Sequence, residues 1–299
     1  FDSNLPDDDR VRSFIDAGVE VIAATDHDAI SDYAQTVTDL GLGDQVAVMG
    51  GLETTPLLPF LDIPGETVPK VIGHFNFWPL VPLPGEQRGG APFDERMEPG
   101  QLFDVMRPLI GPGGVMMMNH PWADTEFGRD LGYLRAIGFD PRLPIVPGNI
   151  NSPLLAAPGG GLKNSDWTAV EVLNGAGVGE YLRARVLWFS LLSQGYVTVG
   201  TGNSDSHGMN DALGWGRNWV QTSTTVDNFD ANEFNRALQE GQAMAGSGVV
   251  VLVQVGPSAG PRRGAGFTPH VLAPGDVLDV EVRAPPWVPL DEVRLITSR

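Results

Sequence analysis

An α/β barrel followed by a small β-rich unit is the fold class this sequence predicts, and three observations predict it. Apolar runs of strand length alternate with runs of helical period up to about residue 241. Polar residues gather at the ends of successive strands, as at the mouth of a (β/α) barrel; a doubly wound sheet would collect them at one crevice. From about Gln242 the pattern changes to short apolar or alternating runs between Gly and Pro turns. The chain therefore divides into a barrel over 1–241 and a β-rich unit, incomplete in this stretch, over 242–299.

Asp7-Asp8-Asp9 places acids at the start of a helix that Gly18 stops. Val19–Ala24 reads as a buried strand ending in Thr25-Asp26-His27-Asp28, with a helix from about Ala29 to Leu40. Gln45–Met49 reads as the next strand, leading to Gly50-Gly51-Leu52-Glu53. After a proline-rich excursion (Pro56, Pro59, Pro64, Pro69), Lys70–Gly73 reads as a strand that delivers His74-Phe75-Asn76. A helix over about 100–110 follows, then a strand over 114–118 that ends at Asn119-His120-Pro121-Trp122. Residues 138–165 show no period and read as surface loop.

Trp167–Leu173 reads as a strand ending at Asn174-Gly175. The helix over 178–193 is predicted to bury Tyr181, Leu182, Val186, Phe189 and Leu192. Tyr196–Val199 then leads into Gly200-Thr201-Gly202-Asn203-Ser204-Asp205-Ser206-His207-Gly208. On extended backbone Asp205 and His207 leave the same face, where together they would grip a metal ion. Residues 218–222 form another strand and 231–239 a helix. The terminal unit has strands over 249–255, 276–282 and 292–296, and His270 within it reads as a surface or turn residue with no acidic neighbour.

Composition narrows the function. The 299 residues are 42% hydrophobic, enough to bury a sizeable core, and 38 Gly with 25 Pro predict many structured loops. A net charge of −18 argues against nucleic acid as partner, and an anionic substrate would need bound cations to reverse the local field. The absence of Cys excludes thiol nucleophiles, disulfides and thiolate zinc sites. No apolar run is long enough for a transmembrane helix. Compartment and oligomeric state stay open.

Four of the five histidines, His27, His74, His120 and His207, fall at the ends of different strands together with Asp26, Asp28, Glu53 and Asp205. A single such His is ordinarily a packed or surface residue. Four with carboxylates suit zinc, manganese or iron, whereas magnesium or calcium would prefer all-oxygen ligands. No G-x-S-x-G motif competes for the chemistry.

In order along the chain stand T-D-H-D at 25–28, G-G-L-E-T-T at 50–55, G-H-F-N at 73–76, N-H-P-W at 119–122, E-V-L-N-G at 171–175 and S-D-S-H-G at 204–208. Together they resemble the polymerase and histidinol phosphatase (PHP) superfamily, and the G-H-F-N and N-H-P-W forms its carbaryl-hydrolase-like branch of metallohydrolases. The resemblance spans about residues 1 to 222. It implies a distorted (β/α)7 TIM-like barrel with two to three divalent ions, zinc first. It implies that Glu53 bridges two ions, that His74 and His120 bind one of the pair and Asp205 the other, and that His27, His207 and Asp2 serve a third. Glu53, Asp205 and His120 would be the catalytic set. The family's N-terminal H-x-H pair is missing, so the chain is expected to be a fragment beginning just downstream of it.

Arg217 is a candidate for an anionic oxygen of substrate, although a surface ion pair suits it as well, and Trp122 is a candidate for the pocket wall. Asp26 and Asp28 would either orient His27 or cap the following helix. Asn119, Asn174 and Asn203 would be donors behind the ligands or ordinary turn formers. The expected activity is metal-dependent hydrolysis of a phosphoester, or of a carboxylic or carbamic ester or amide, in a small molecule. The rival readings are a non-catalytic PHP-like binding module with a decayed metal site, and a proofreading exonuclease, which the acidic charge disfavours.

Overall fold

The computed structural model describes residues 3, 5–55, 57–58, 70–71, 73–123, 125–126, 129–130, 132–175, 177–209, 211 and 213–297. Asp2 and nearly all of the proline-rich excursion between 56 and 69 lie outside them. The chain is a mixed α/β structure built on one curled, half-barrel sheet of six strands. These are β1 (Val21–Ala23), β2 (Ala47–Thr54), β3 (Phe75–Leu80), β4 (Val115–Met118), β5 (Ala169–Asn174) and β6 (Val199–Asn203), hydrogen-bonded in that order.

β1 and β2 are parallel, as are β4, β5 and β6, whereas β3 is antiparallel to both β2 and β4. This corrects the expected strand over 70–73. Lys70–Val71 pairs with Leu57–Leu58 outside the sheet, and the sheet strand begins after His74. Apolar periodicity marks a strand but carries no direction. Here reversal brings the start of β3 to the same sheet margin as the ends of its parallel neighbours.

The helices are α1 (Asp7–Asp16), α2 (Ala34–Leu40), α3 (Pro99–Ile110), α4 (Tyr133–Ala136), α5 (Val178–Ser193) and α6 (Ala231–Gln239). α3 starts on a reciprocal Glu98–Gln101 capping box with Pro99 in its first turn. α6 starts on Asp230, whose carboxylate accepts the N–H groups of Asn232 and Glu233. α2 starts five residues later than expected, because 29–33 runs beside β2 through the Ser31–Gly51 pairing. α5 buries Ala184, Leu187, Ser190 and Leu191, while Leu182 and Val186 are half exposed, so the predicted stripe was out of phase. Two of the four buried residues, Ala184 and Ser190, are small.

β4 is Val-Met-Met-Met and buried throughout. Its two faces feed different clusters. Met116 and Met118 join Phe75, Phe77 and Phe103 under α3, and Val115 and Met117 join Met49, Trp78 and Leu238. Beyond β6 the expected strand near 218 is present as β7 (Arg217–Val220), paired with β8 (Ala243–Gly246) rather than with the sheet. The Asn218 side chain spans the gap: its Oδ1 accepts the Gly202 N–H at 2.9 Å and its Nδ2 donates to the Gly202 carbonyl at 2.8 Å. β9 (Val250–Pro257) and β10 (Asp276–Arg283) form an antiparallel hairpin. Residues 292–296, predicted as a strand, form no strand pairing among the described residues and stay irregular.

Candidate metal centre

The site is built where the strand ends meet. After β1 the chain rejoins β2 locally: the Glu53 N–H donates to the Asp26 carbonyl at 3.0 Å and the Asp28 N–H to the Glu53 carbonyl at 2.7 Å. His27 and Glu53 are thereby paired in parallel register. Asn76 of β3 lies opposite Glu53 on the other side, which places His74, just before that strand, beside the same carboxylate. The Asn119 N–H donates to the His74 carbonyl at 3.0 Å and so carries His120 alongside.

His74 Nδ1 lies 2.9 Å from Glu53 Oε1. His120 Nε2 lies 3.7 Å from the same oxygen, longer than a hydrogen bond. The His74 ring centroid is 5.2 Å from that of His27 and 4.9 Å from that of His120. Ligand atoms of His27, Glu53 and His74 fall within 4.8 Å of one another. On the open side the His207 ring stacks over His27 at 6.3 Å, with Nε2 3.8 Å from Asp205 Oδ1. Four imidazoles thus form one continuous chain between Glu53 and Asp205.

Backbone strain gathers here. Asp28, His120 and Asp205 have φ of 54°, 22° and 45°, in the left-handed region that non-glycine residues rarely occupy. The expectation that Asp205 and His207 share a face of extended backbone therefore fails. β6 runs only to Asn203, and the turn at Asp205, not strand alternation, brings the two side chains together.

Glu171 is the residue that sequence reasoning passed over, although it opens the E-V-L-N-G motif. It is 3% exposed within β5. Its Oε2 accepts the His120 main-chain N–H at 2.6 Å, and its two oxygens also accept Nδ2 of Asn203 at 2.9 Å and of Asn174 at 3.2 Å. Asn174 Nδ2 donates in addition to Asp205 Oδ2 at 2.9 Å. A Glu inside an otherwise apolar strand was the available signal, since such a residue is rarely buried unless paired.

Burial would raise the Glu53 pKa, but the approach of His120 and the hydrogen bond from His74 hold it well below the ordinary value. Burial lowers that of His74, leaving a neutral imidazole with a lone pair. Burial also works against charge on His120, yet Glu53, Glu171 and Asp205 raise its pKa to about 9. Glu171 is pushed up to about 7 by burial, with Asp205 adding to the effect. These directions describe buried carboxylates in need of positive charge. His120 Nδ1 is buried with no hydrogen-bond partner among the described residues. Imidazoles, ionised carboxylate and an unused ring nitrogen fit a divalent transition metal.

Of the residues expected from sequence, the fold brings together His27, Glu53, His74, His120, Asp205 and His207, while Asp2 lies outside the described residues. Asp26 and Asp28 cap no helix. Asp26 accepts the Ser31 hydroxyl, and Asp28 accepts the N–H and hydroxyl of Thr55 at 3.2 and 2.7 Å and faces Arg88. Trp122 packs against the core and borders a small pocket behind His120, away from the main cleft. Arg217 lines that cleft but forms no surface ion pair among the described residues. Its guanidinium donates to the carbonyls of Ala17 and Gly214 at 2.7 and 2.5 Å. His270, expected to lack an acidic neighbour, lies 3.1 Å from Asp276.

The cleft beside the cluster encloses about 600 Å³ and is lined by His27, Glu53, His120, Glu171, Asp205 and His207 among others. Fold and site together define an α/β chain with a buried histidine–carboxylate centre at one margin of its sheet. No family model matches the chain, and a search of curated proteins finds no match to it.

Proposed function

We propose that this chain is a metal-dependent hydrolase of the PHP superfamily, carbaryl-hydrolase-like branch, acting on a phosphoester or on a carboxylic or carbamic ester or amide of a small molecule. The observation that carries the reading is the gathering of His27, His74 and His120 around one buried carboxylate, Glu53. On this reading Glu53, His74, His120 and His27 hold cations on the inner side, and Asp205 and His207 on the outer. The donor set suits zinc best and admits manganese or iron. Bound there, such cations supply Lewis acidity toward the scissile group and acidify water toward neutral pH. The half-barrel sheet is taken as the greater part of a distorted (β/α)7 TIM-like barrel.

The protein's own groups fix the donors. Glu53 stays ionised and His74 neutral, the forms in which each ligates. Glu171 holds the main chain at His120, and Asn174 ties Asp205 to Glu171. Asp211 accepts the N–H groups of His207 and Gly208 at 2.5 and 2.6 Å, which holds the outer loop. Burial of His74 and Glu53 keeps bulk water from competing for these donors.

Hydrolysis of nitrophenyl phosphate, a nitrophenyl phosphodiester, acetate and carbamate with added zinc or manganese tests this reading, with Glu53→Ala and His120→Ala as controls. Turnover of at least one ester that both variants abolish is expected. Activity unchanged in the variants would sink the site assignment. Fewer than two equivalents of transition metal with no turnover would favour the non-catalytic binding module.

A further inference from the structure

Two arginines line the cleft among the described residues, Arg217 and Arg10. Arg217 donates through Nε and Nη2 to main-chain carbonyls. Arg10 is different. It lies on α1 behind three exposed acids, Asp7, Asp8 and Asp9, yet its own side chain turns inward and is only 5% exposed. Nη1 donates to Ser206 Oγ at 2.9 Å, and the guanidinium carbon lies 5.8 Å from the centroid of the Phe14 ring. No carboxylate lies within 4 Å of it among the described residues, although the Asp211 carboxylate feels its charge. A buried charge is tolerated when it is paired and hydrogen-bonded, and here one side-chain hydrogen bond and a more distant carboxylate serve the whole guanidinium among the described residues. Ser206 stands between Asp205 and His207 in sequence, and Arg10 lines the cleft together with all three, beside the outer half of the cluster.

We infer that Arg10 is the anion-recognition residue of this cleft, and that the substrate carries a charged oxygen group, phosphoryl or carboxylate, that sits on its guanidinium. The inference rests on the hydrolase reading for its site and narrows the substrate to an anionic small molecule. The planar fork of Arg suits two oxygens of one such group. The outward acids of α1 and the net charge of −18 explain why composition alone pointed away from an anionic ligand. The positive charge is local, buried and invisible to a charge count.

Calorimetric titration of inorganic phosphate, and separately of acetate, into the full chain in the presence of chelator tests this directly. Phosphate tighter than acetate identifies the phosphoryl group; the reverse order identifies a carboxylate. Arg10→Met is expected to weaken the preferred anion about tenfold or more, with Arg10→Lys between. Equal affinity in Arg10→Met and the parent overturns the proposal, as does failure of the parent to bind either anion. Should Arg10→Met fail to fold by circular dichroism, Arg10→Lys decides, and unchanged anion affinity there overturns it. Metal content is measured on the same protein without chelator. A chain that binds the anion through Arg10 but holds no metal refutes the hydrolase, whereas one that holds metal but no anion refutes only the role of Arg10.

Discussion

The carboxylate of Glu171 accepts the main-chain N–H of His120 at 2.6 Å, and through Asn174 the same carboxylate is tied to Asp205. One buried side chain on β5 thus sets a residue from each half of the histidine cluster. Groups that orient ligands from behind typically change metal affinity or activity by about 10–100-fold when removed. Glu171→Ala is expected to weaken zinc binding within that range. Glu171→Gln, which keeps one acceptor oxygen, should retain more of it. Competition with a chromophoric chelator measures both, and a cobalt-substituted spectrum identical to the parent's would count against the link.

Glu53→Ala and His74→Ala remove the contact at the centre of the cluster. Metal content should fall in both. A ligand at about 100 times its Kd stabilises a fold by about 2.7 kcal/mol. Chelator should therefore lower the melting temperature of the parent by several degrees and leave Glu53→Ala nearly unchanged. Equal shifts in both would show that the stabilising ion sits elsewhere.

Asp94 is 2% exposed, with Oδ2 unpartnered among the described residues and Oδ1 3.4 Å from Arg88. Burial, reinforced by Asp28, raises its pKa from 3.8 to about 6. Between those values the folded chain keeps a proton that the unfolded chain releases, so stability falls as pH rises from about 4 to about 6. The loss is of the order of 2 kcal/mol and persists at neutral pH. Asp94→Asn should remove this slope and raise neutral-pH stability. Denaturant titrations of both proteins at pH 4 and pH 7 measure the difference, and equal slopes would contradict it.

Asn218 completes the edge of β6 with a side chain in place of a strand. Asn218→Ala leaves the Gly202 N–H and carbonyl without those partners, which costs about 1–3 kcal/mol for a buried group. Because Gly202 precedes Asn203 and the Asp205 turn, hydrogen exchange should rise first at 202–207. Protection unchanged across that segment would show that β7 is held by other contacts.

Strand positions at 115–118 and 169–174, the helix over 178–193, and the acid and histidine residues that line the cleft were legible in the sequence. Their signal is local: apolar runs bounded by polar residues. The direction of β3 was not legible, since a strand reads the same in either sense, and so His74 was assigned to the wrong end of a strand. The inward phase of α5 was misread because Ala184 and Ser190, which it buries, have little hydrophobic signal. Glu171 was hidden by its apolar neighbours, and Arg10 by the acids before it.

By itself the sequence determined the composition of the centre: which imidazoles and carboxylates were available, that no thiol competed, and that they stood near strand termini. The tertiary structure decided their roles. Reversal of β3 places His74 beside Glu53, left-handed backbone makes the turns at His120 and Asp205, the neighbouring histidines hold Glu53 ionised against its burial, and folding encloses Arg10. Each of these depends on contacts between residues far apart in the chain, and on the dielectric those contacts create, neither of which a local pattern of residue types encodes.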